Sequence, residues 1–173
     1  QHFKKRINDL KLLAQQENIT VYEGCELFLN HDYIQAIDHQ LLIPIENTSY
    51  LLVEFDVRKE LGKEYEVEDY LYEIEIKGYK PIIAHVERYF PHGIDLQRIE
   101  QWIDNGYVIQ VNASSLLGVH GKTVKNNAYQ LLNNGLLHII ATDTHRSQGH
   151  RIPCLLEVYQ LLSKKYDYQT LKA

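Results

Sequence analysis

Residues 80–112, KPIIAHVERYFPHGIDLQRIEQWIDNGYVIQVN, contain the pattern that decides the fold. Lys80–Ala84 and Tyr107–Asn112 are short apolar runs of the kind found in buried strands. Between them, Asp95–Asp104 carries its large apolar side chains at helical spacing. A strand, a helix and a second strand in this order predict two parallel strands joined by a helical crossover.

The same alternation continues along the chain in both directions. It predicts further strands and helices, the strands being Ile19–Glu26, Tyr50–Phe55 and Leu136–Thr142, and the helices 2–17, His31–Asp38, Val67–Lys77, Lys122–Asn134 and Cys154–Lys165. No linker or low-complexity tract interrupts the pattern, so residues 1–173 are predicted to form a single α/β domain. An open doubly wound sheet and a (β/α) barrel both fit this order.

Composition excludes several classes of protein. The chain has 173 residues and a net charge of −5. None of its apolar runs approaches the roughly 18–20 residues that span a bilayer, so we expect no membrane insertion. The acidic balance argues against a nucleic-acid partner. Two cysteines fit a reducing, cytoplasmic setting better than a disulfide framework. Since the sequence contains no methionine, we expect it to be a piece of a longer chain.

Acidic and imidazole side chains gather where the predicted strands end. Glu26 ends the first strand, Glu54 lies near the end of the second, His85 follows the third, and Asp143 and His145 follow the fifth. The carboxyl ends of parallel strands meet at one edge, where α/β proteins hold their active sites. Mixed oxygen and nitrogen ligands suit Mn, Fe or Zn. A buried salt bridge is the alternative interpretation for Glu54, and an ordinary loop for the Asp-X-His pair.

Arginines follow two of these positions and indicate an anionic substrate. Arg88 comes three residues after His85, and Arg146 and Arg151 follow His145. Guanidinium groups match the geometry of phosphate. The alternative is that Arg88 pairs with a neighbouring acid such as Glu87.

A cysteine-dependent phosphatase is excluded by spacing. Such an enzyme needs an arginine six residues after the cysteine, so that one loop surrounds the phosphate. The residues six positions after Cys25 and Cys154 are His31 and Gln160.

Residues 78–89, GYKPIIAHVERY, resemble the "GYxPIIAHPERY" segment of bacterial manganese-dependent protein-tyrosine phosphatases of the polymerase-and-histidinol-phosphatase (PHP) type. These enzymes are encoded with capsule and exopolysaccharide genes. Four further blocks match in the same order, namely Gly24–Glu26, Leu52–Phe55, Gln110–Gly118 and Thr142–His145. The resemblance implies a PHP-type distorted (β/α)7 barrel, here lacking its first strands.

The resemblance also implies a metal centre of up to three ions in the full-length protein, with Mn expected and Fe or Zn possible. Glu26 would bridge two ions, Glu54 and His85 would bind the second, Asp143 would join the first, and His145 would serve the third. Four other ligands of the family would precede Gln1, so we expect this piece alone to be inactive.

The implied reaction is hydrolysis of protein phosphotyrosine by a metal-bound hydroxide. Arg88 and Arg151 would hold the phosphoryl group, and the substrate would be a phosphotyrosine protein such as an autophosphorylated bacterial tyrosine kinase. Val86 replaces the family's usual proline, and Arg146 replaces a small polar residue, which leaves Arg146 as an alternative to Arg151. Two other functions stay open: a PHP phosphoesterase acting on a small molecule such as histidinol phosphate, and a non-catalytic regulatory domain.

Overall fold

The computed structural model describes residues 2–30, 32–38, 41–59, 61 and 67–167. Its centre is a parallel sheet of five strands in the order β1-β2-β3-β4-β5. The strands are β1 Glu26–Phe28, β2 Tyr50–Glu54, β3 Lys80–Ile83, β4 Val108–Asn112 and β5 Ile139–Ala141. This confirms the predicted α/β class with a parallel sheet.

Helices connect the strands. They are α1 His2–Gln16, α2 Tyr33–Asp38, α3 Val67–Ile76, α4 Leu96–Asp104, α5 Ala113–Leu117, α6 Lys122–Asn133 and α7 Leu155–Leu162, with a 3-10 turn at Val86–Arg88. Most agree with the predicted helices to within a few residues. The predicted start of α2 at His31 lies outside the described residues.

The strands lie side by side in the order in which the chain forms them. A doubly wound sheet reverses its strand order at a switch point. Among the five described strands there is no such reversal. The sheet therefore winds in one direction from β1 to β5.

The two faces of the sheet differ in burial. Leu51 and Val53 of β2 are fully buried against the helices, where they join a core that includes Trp102 of α4. Tyr50, Leu52 and Glu54, on the other face of β2, are only partly buried. Among the described residues, the alternating burial of β2 therefore reflects a sheet with one open face.

The predicted bounds of the first strand, Ile19–Glu26, are wrong, because β1 begins at Glu26. The residues before it bond to a neighbouring loop instead of to β2. Cys25 N donates to Ile43 O at 2.8 Å, and Glu46 N donates to Glu23 O at 2.8 Å. Glu26 thus starts a strand and does not end one.

Two short elements after strand ends were not predicted. Val86–Arg88 forms one 3-10 turn after β3, and α5 starts directly after β4 without a loop. Gly118 ends α5 with φ 89°, a conformation that residues with a Cβ rarely adopt. Both elements are too short for hydrophobic periodicity to reveal them. No helix among the described residues is long and apolar enough to cross a membrane.

Candidate metal centre

Three of the predicted ligands come together at the edge of the sheet. One ligand atom from each of Glu26, Glu54 and His85 lies within 4.8 Å of the other two. His85 Nε2 is 3.2 Å from Glu54 Oε1 and 3.8 Å from Glu26 Oε1. We call these residues the Glu26–Glu54–His85 cluster.

The register of β1 and β2 explains how the two carboxylates meet. Glu26 is paired with Leu52, and Glu54 lies two residues further along β2 on the same face. Both side chains therefore project from the open face of the sheet. Their side chains are 33% and 27% exposed, which leaves them accessible to an ion from solvent.

The backbone just after β3 places His85. This residue has φ 36° and ψ 50°, in the left-handed region that non-glycine residues seldom occupy. Its N–H donates to Gln110 Oε1 at 3.0 Å, so β4 holds the backbone in this conformation. Strained backbone of this kind is found most often at functional sites.

The His85 ring is buried, and one of its two nitrogens faces the glutamates. Its side chain is 3% exposed, and Nε2 is the ring nitrogen that faces both carboxylates. Nδ1 is buried, and no hydrogen-bond partner for it occurs among the described residues. Metal-binding histidines usually donate their second N–H to an acceptor, so this ring lacks that support from the described part of the chain.

Electrostatics in the cluster favour a cation. Burial raises the pKa of Glu26, and the nearby Glu54 carboxylate raises it further, against an opposing effect of His85. Two carboxylates held close together repel each other unless a proton or a cation lies between them. The donor set of two carboxylates and one imidazole suits Mn, Fe or Zn, so the residues fit such an ion.

Asp143 lines the same cavity as Glu26 and His85, a space of about 220 Å³ on the open face. Its carboxylate is not part of the cluster and contacts two other side chains. Arg151 Nη2 lies 2.7 Å from both Oδ1 and Oδ2, and Asn112 Nδ2 donates to Oδ2 at 3.1 Å. The structure therefore brings Asp143 to the site, paired with a cation of the chain itself.

His145 stays close to Asp143 at the rim of the site. Its Nδ1 is 3.0 Å from Asp143 O and 3.4 Å from Asp143 Oδ1, and half of its side chain is exposed. It does not join the Glu26–Glu54–His85 cluster. Within the described chain, Asp143 and His145 form a second group beside that cluster.

The two predicted phosphate-binding arginines lie on separate segments. Arg88 ends the 3-10 turn after His85 and is half-buried, whereas Arg151 reaches Asp143 from the loop before α7. The alternative pairing of Arg88 with Glu87 is wrong. Glu87 instead accepts hydrogen bonds from Ser115 Oγ and from Asn112 N.

Glu87 has a structural role that the sequence analysis did not predict. It is fully buried, and burial raises its pKa despite the hydrogen bonds that it accepts. Asn127 Nδ2 donates to Glu87 O at 3.0 Å and to Phe90 O at 2.9 Å. These contacts fix the turn that carries His85 and Arg88 against β4, α5 and α6. The available signal in the sequence was an acid directly after Val86 and two residues before the apolar pair Tyr89-Phe90.

The fold and the site together define a parallel α/β protein with a candidate metal centre at the carboxyl edge of its sheet. The family model for capsular polysaccharide synthesis proteins CpsB/CapC matches residues 1–173. The chain belongs to this family, and the resemblance inferred from the sequence is confirmed.

Individual relatives agree with this assignment. CapC of Staphylococcus aureus is 31% identical over 172 residues, which cover 98% of this chain and 66% of CapC. Tyrosine-protein phosphatase CpsB of Streptococcus pneumoniae is 25% identical over 161 residues, covering 90% of this chain and 65% of CpsB. This chain thus spans just under two thirds of the length of these relatives.

A solved structure is similar in fold. It belongs to a crystallographic study of YwqE from Bacillus subtilis and CpsB from Streptococcus pneumoniae, described as metal-dependent tyrosine phosphatases. The match has a TM-score of 0.78 at 24% sequence identity and covers 96% of this chain and 66% of the other. It establishes a shared fold.

Proposed function

We propose that this chain is part of a metal-dependent protein-tyrosine phosphatase that acts in capsule or exopolysaccharide synthesis. The observation that carries the proposal is the Glu26–Glu54–His85 cluster, in which two carboxylates and one imidazole share a space that fits a metal ion. Membership of the CpsB/CapC family and relatives named tyrosine-protein phosphatases support the choice of reaction.

In this proposal Glu26, Glu54 and His85 hold a metal ion, and Asp143 and His145 contribute to neighbouring ions. Mn is our first choice, with Fe or Zn accepting the same ligands, and the full-length protein would hold up to three ions. When bound, such ions lower the pKa of water and offset the negative charge of a phosphate. His85 must be neutral and both glutamates ionised for the site to accept them.

Arg88 and Arg151 orient the phosphoryl group in this proposal. Both belong to segments that also carry a proposed ligand, His85 for Arg88 and Asp143 for Arg151. A guanidinium group binds phosphate oxygens through paired N–H groups, which fixes orientation as well as charge. Arg151 would exchange its contact with Asp143 for one with the substrate.

The architecture we propose is a single domain in which the sheet is one arc of a distorted (β/α)7 barrel whose other strands are not within residues 1–173. Its support is the unreversed strand order and the open face lined by Leu52, Ile82 and Ile139. Parallel strands are usually covered on both faces. In this proposal, further residues of the full-length protein cover the open face. We therefore expect residues 1–173 alone to lack activity.

The substrate class we propose is a phosphotyrosine protein, with an autophosphorylated tyrosine kinase of the same pathway as the partner. A phosphoester carries two negative charges near neutral pH, which complements Arg88, Arg151 and the bound cations. The open rim around Asp143 and His145 leaves room for a side chain presented by a protein.

The test is a comparison of substrates and variants in the full-length protein supplied with Mn²⁺. We expect hydrolysis of a phosphotyrosine peptide to exceed that of histidinol phosphate, and Glu54→Gln to abolish it. Glu100→Gln, which changes an exposed acid on α4, is the matched control and should keep full activity. Preference for histidinol phosphate would favour a small-molecule phosphoesterase. A protein that stays metal-free in excess Mn²⁺ would indicate a regulatory domain.

A further inference from the structure

Asn112 ends β4 at the edge of the sheet that carries the candidate metal centre, and only 1% of this residue is exposed. It is also the N-cap residue of α5, a position where an asparagine side chain usually accepts a hydrogen bond from the first turn of the helix. Here the side chain makes no capping hydrogen bond. The buried amide group therefore has a role other than starting α5.

The Asn112 amide lies between two side chains that line the same cavity. Its Oδ1 accepts a hydrogen bond from Gln110 Nε2 at 3.0 Å, and its Nδ2 donates to Asp143 Oδ2 at 3.1 Å. All three residues line the cavity that also includes Glu26 and His85. Asn112 thus contacts one proposed metal ligand without being a proposed ligand itself.

The backbone of His85 determines which way the Asn112 amide points. A backbone N–H can only donate, so the Gln110 atom that lies 3.0 Å from His85 N is the amide oxygen Oε1. Gln110 Nε2 consequently donates to Asn112 Oδ1, and also to Val111 O at 3.3 Å. Because the oxygen of the Asn112 amide faces Gln110, its NH2 group faces Asp143. A chain of two amides therefore fixes the donor that Asp143 receives.

Burial makes this chain of amides rigid. Gln110 is 4% exposed and Asn112 is 1% exposed, and a buried amide costs free energy unless it is hydrogen-bonded. Every polar atom of the two amides has a partner among the described residues. Fully satisfied buried networks hold their members in one arrangement. The chain thus holds the Asp143 carboxylate in a fixed position relative to the backbone of His85.

We propose that Asn112 is a positioning residue for metal binding at Asp143, which it holds through Oδ2 so that Oδ1 is available for the ion. This inference rests on the metal centre of the proposed phosphatase. Side chains that bind a metal ion are commonly oriented by a hydrogen bond from a neighbouring group, and loss of that group lowers metal affinity about 10- to 100-fold.

Arg151 also contacts the Asp143 carboxylate, but it does not replace Asn112 as a support. Its side chain is 46% exposed on a loop, and in the proposed function it exchanges this contact for one with the substrate. Asn112 belongs to a buried strand and keeps its contact when Arg151 turns away. The carboxylate then stays fixed through Oδ2, while Oδ1, which lies 3.4 Å from His145 Nδ1, remains available for an ion.

The experiment is a double-mutant cycle in the full-length protein, with the affinity for Mn²⁺ measured by titration calorimetry. Asn112→Ala removes the amide and should lower the affinity at least about tenfold. In an Asp143→Asn background the same substitution should lower it further by less than about twofold, because a residue that acts only through Asp143 has no effect once that ligand is lost.

The Asp143→Asn background separates positioning from a general structural role, since damage to the fold would reduce Mn²⁺ affinity in both backgrounds. Asn112→Ser is the second variant if Asn112→Ala does not stay folded. It keeps a small polar group at this buried position, and its hydroxyl ends one atom short of the amide nitrogen. Urea unfolding with a chelator present checks that each variant is folded.

Two results would overturn the role of Asn112: equal losses of Mn²⁺ affinity in the two backgrounds, or no loss in the unchanged background. An unchanged protein that binds no Mn²⁺ would overturn the metal centre and this inference with it. A protein that binds Mn²⁺ with the expected non-additive losses but hydrolyses no phosphotyrosine peptide would overturn the proposed reaction alone, because the titration does not depend on turnover.

Discussion

The Arg151 guanidinium lies 2.7 Å from both carboxylate oxygens of Asp143. Both residues have left-handed backbone, with φ 60° for Arg151 and 50° for Asp143. His145 N donates to Arg151 O at 3.0 Å, which closes the loop between them. The pair joins a proposed metal ligand to a proposed phosphate-binding residue, so a metal ion bound at Asp143 would compete with Arg151 for one carboxylate.

This competition predicts two opposite effects of Arg151→Met. The KM for a phosphotyrosine peptide should rise at least about tenfold, because hydrogen bonds to charged groups contribute roughly 1.5–3 kcal/mol. The affinity for Mn²⁺ should stay the same or increase, since Asp143 loses a competing cation. Steady-state kinetics and calorimetric titration of the full-length protein measure the two effects.

Arg146→Met is the matched control for Arg151. Arg146 is an exposed cation on the same loop, and no side-chain contact to Asp143 is present in the described structure. Its substitution should leave KM within about twofold. If Arg146→Met raised KM as much as Arg151→Met, the assignment of the phosphate-binding arginine would be wrong.

Glu54→Gln should reduce Mn²⁺ affinity at least about tenfold while the protein stays folded. Glu54 Oε1 is 3.2 Å from His85 Nε2, so the neutral amide removes a charged ligand without changing the shape of the side chain. Loss of even an outer partner of a metal ligand lowers affinity 10- to 100-fold. Titration calorimetry with Glu100→Gln as the control checks this. Unchanged affinity in Glu54→Gln would remove the basis for the metal centre.

The order of the helices and strands could be predicted from the sequence, because hydrophobic periodicity shows which residues face a core. Asp95–Asp104 was predicted as a helix, and α4 is Leu96–Asp104 with Asp95 as its N-cap. The bounds of β1 were wrong because apolar residues before Glu26 contact a loop, and a short apolar run does not show which partner it will bond. The bounds of α4 depend on local sequence, whereas the bounds of β1 depend on long-range pairing, which no local pattern encodes.

The candidate site was predictable only in part. The sequence predicted that Glu26, Glu54 and His85 would meet, and their ligand atoms do lie together, although Glu26 starts β1 and was predicted to end it. The pairing of Asp143 with Arg151 was not predictable, because it depends on how an exposed loop folds back.

The raised pKa of Glu26 predicts how pH affects the stability of the metal-free protein. Burial and the Glu54 charge raise this pKa above its ordinary value of 4.5, so the folded protein keeps a proton that the unfolded chain has lost. The contribution of Glu26 to the free energy of unfolding is therefore largest below pH 4.5 and is lost as pH rises through the raised pKa.

Glu26→Gln carries no charge at this position, so it should become more stable relative to the unchanged protein as pH increases from 4 to 8. Urea unfolding in the presence of a chelator measures the difference. Glu100→Gln, which changes an exposed acid on α4, is the control variant. A difference for Glu26→Gln that does not vary with pH would show that Glu26 titrates normally.

Removal of the Glu87 carboxyl group should destabilise the protein through the turn that carries His85 and Arg88. In Glu87→Ala, Ser115 Oγ and Asn112 N lose their buried acceptor, and each unsatisfied buried donor costs roughly 1–3 kcal/mol. We expect a total loss of about 3 kcal/mol in the free energy of unfolding, measured by urea denaturation. Glu87→Gln should lose less, because its amide oxygen can accept the same two hydrogen bonds, while its NH2 group replaces the buried Oε2 that has no partner among the described residues. Equal losses in the two variants would show that the acceptor oxygen does not stabilise this turn.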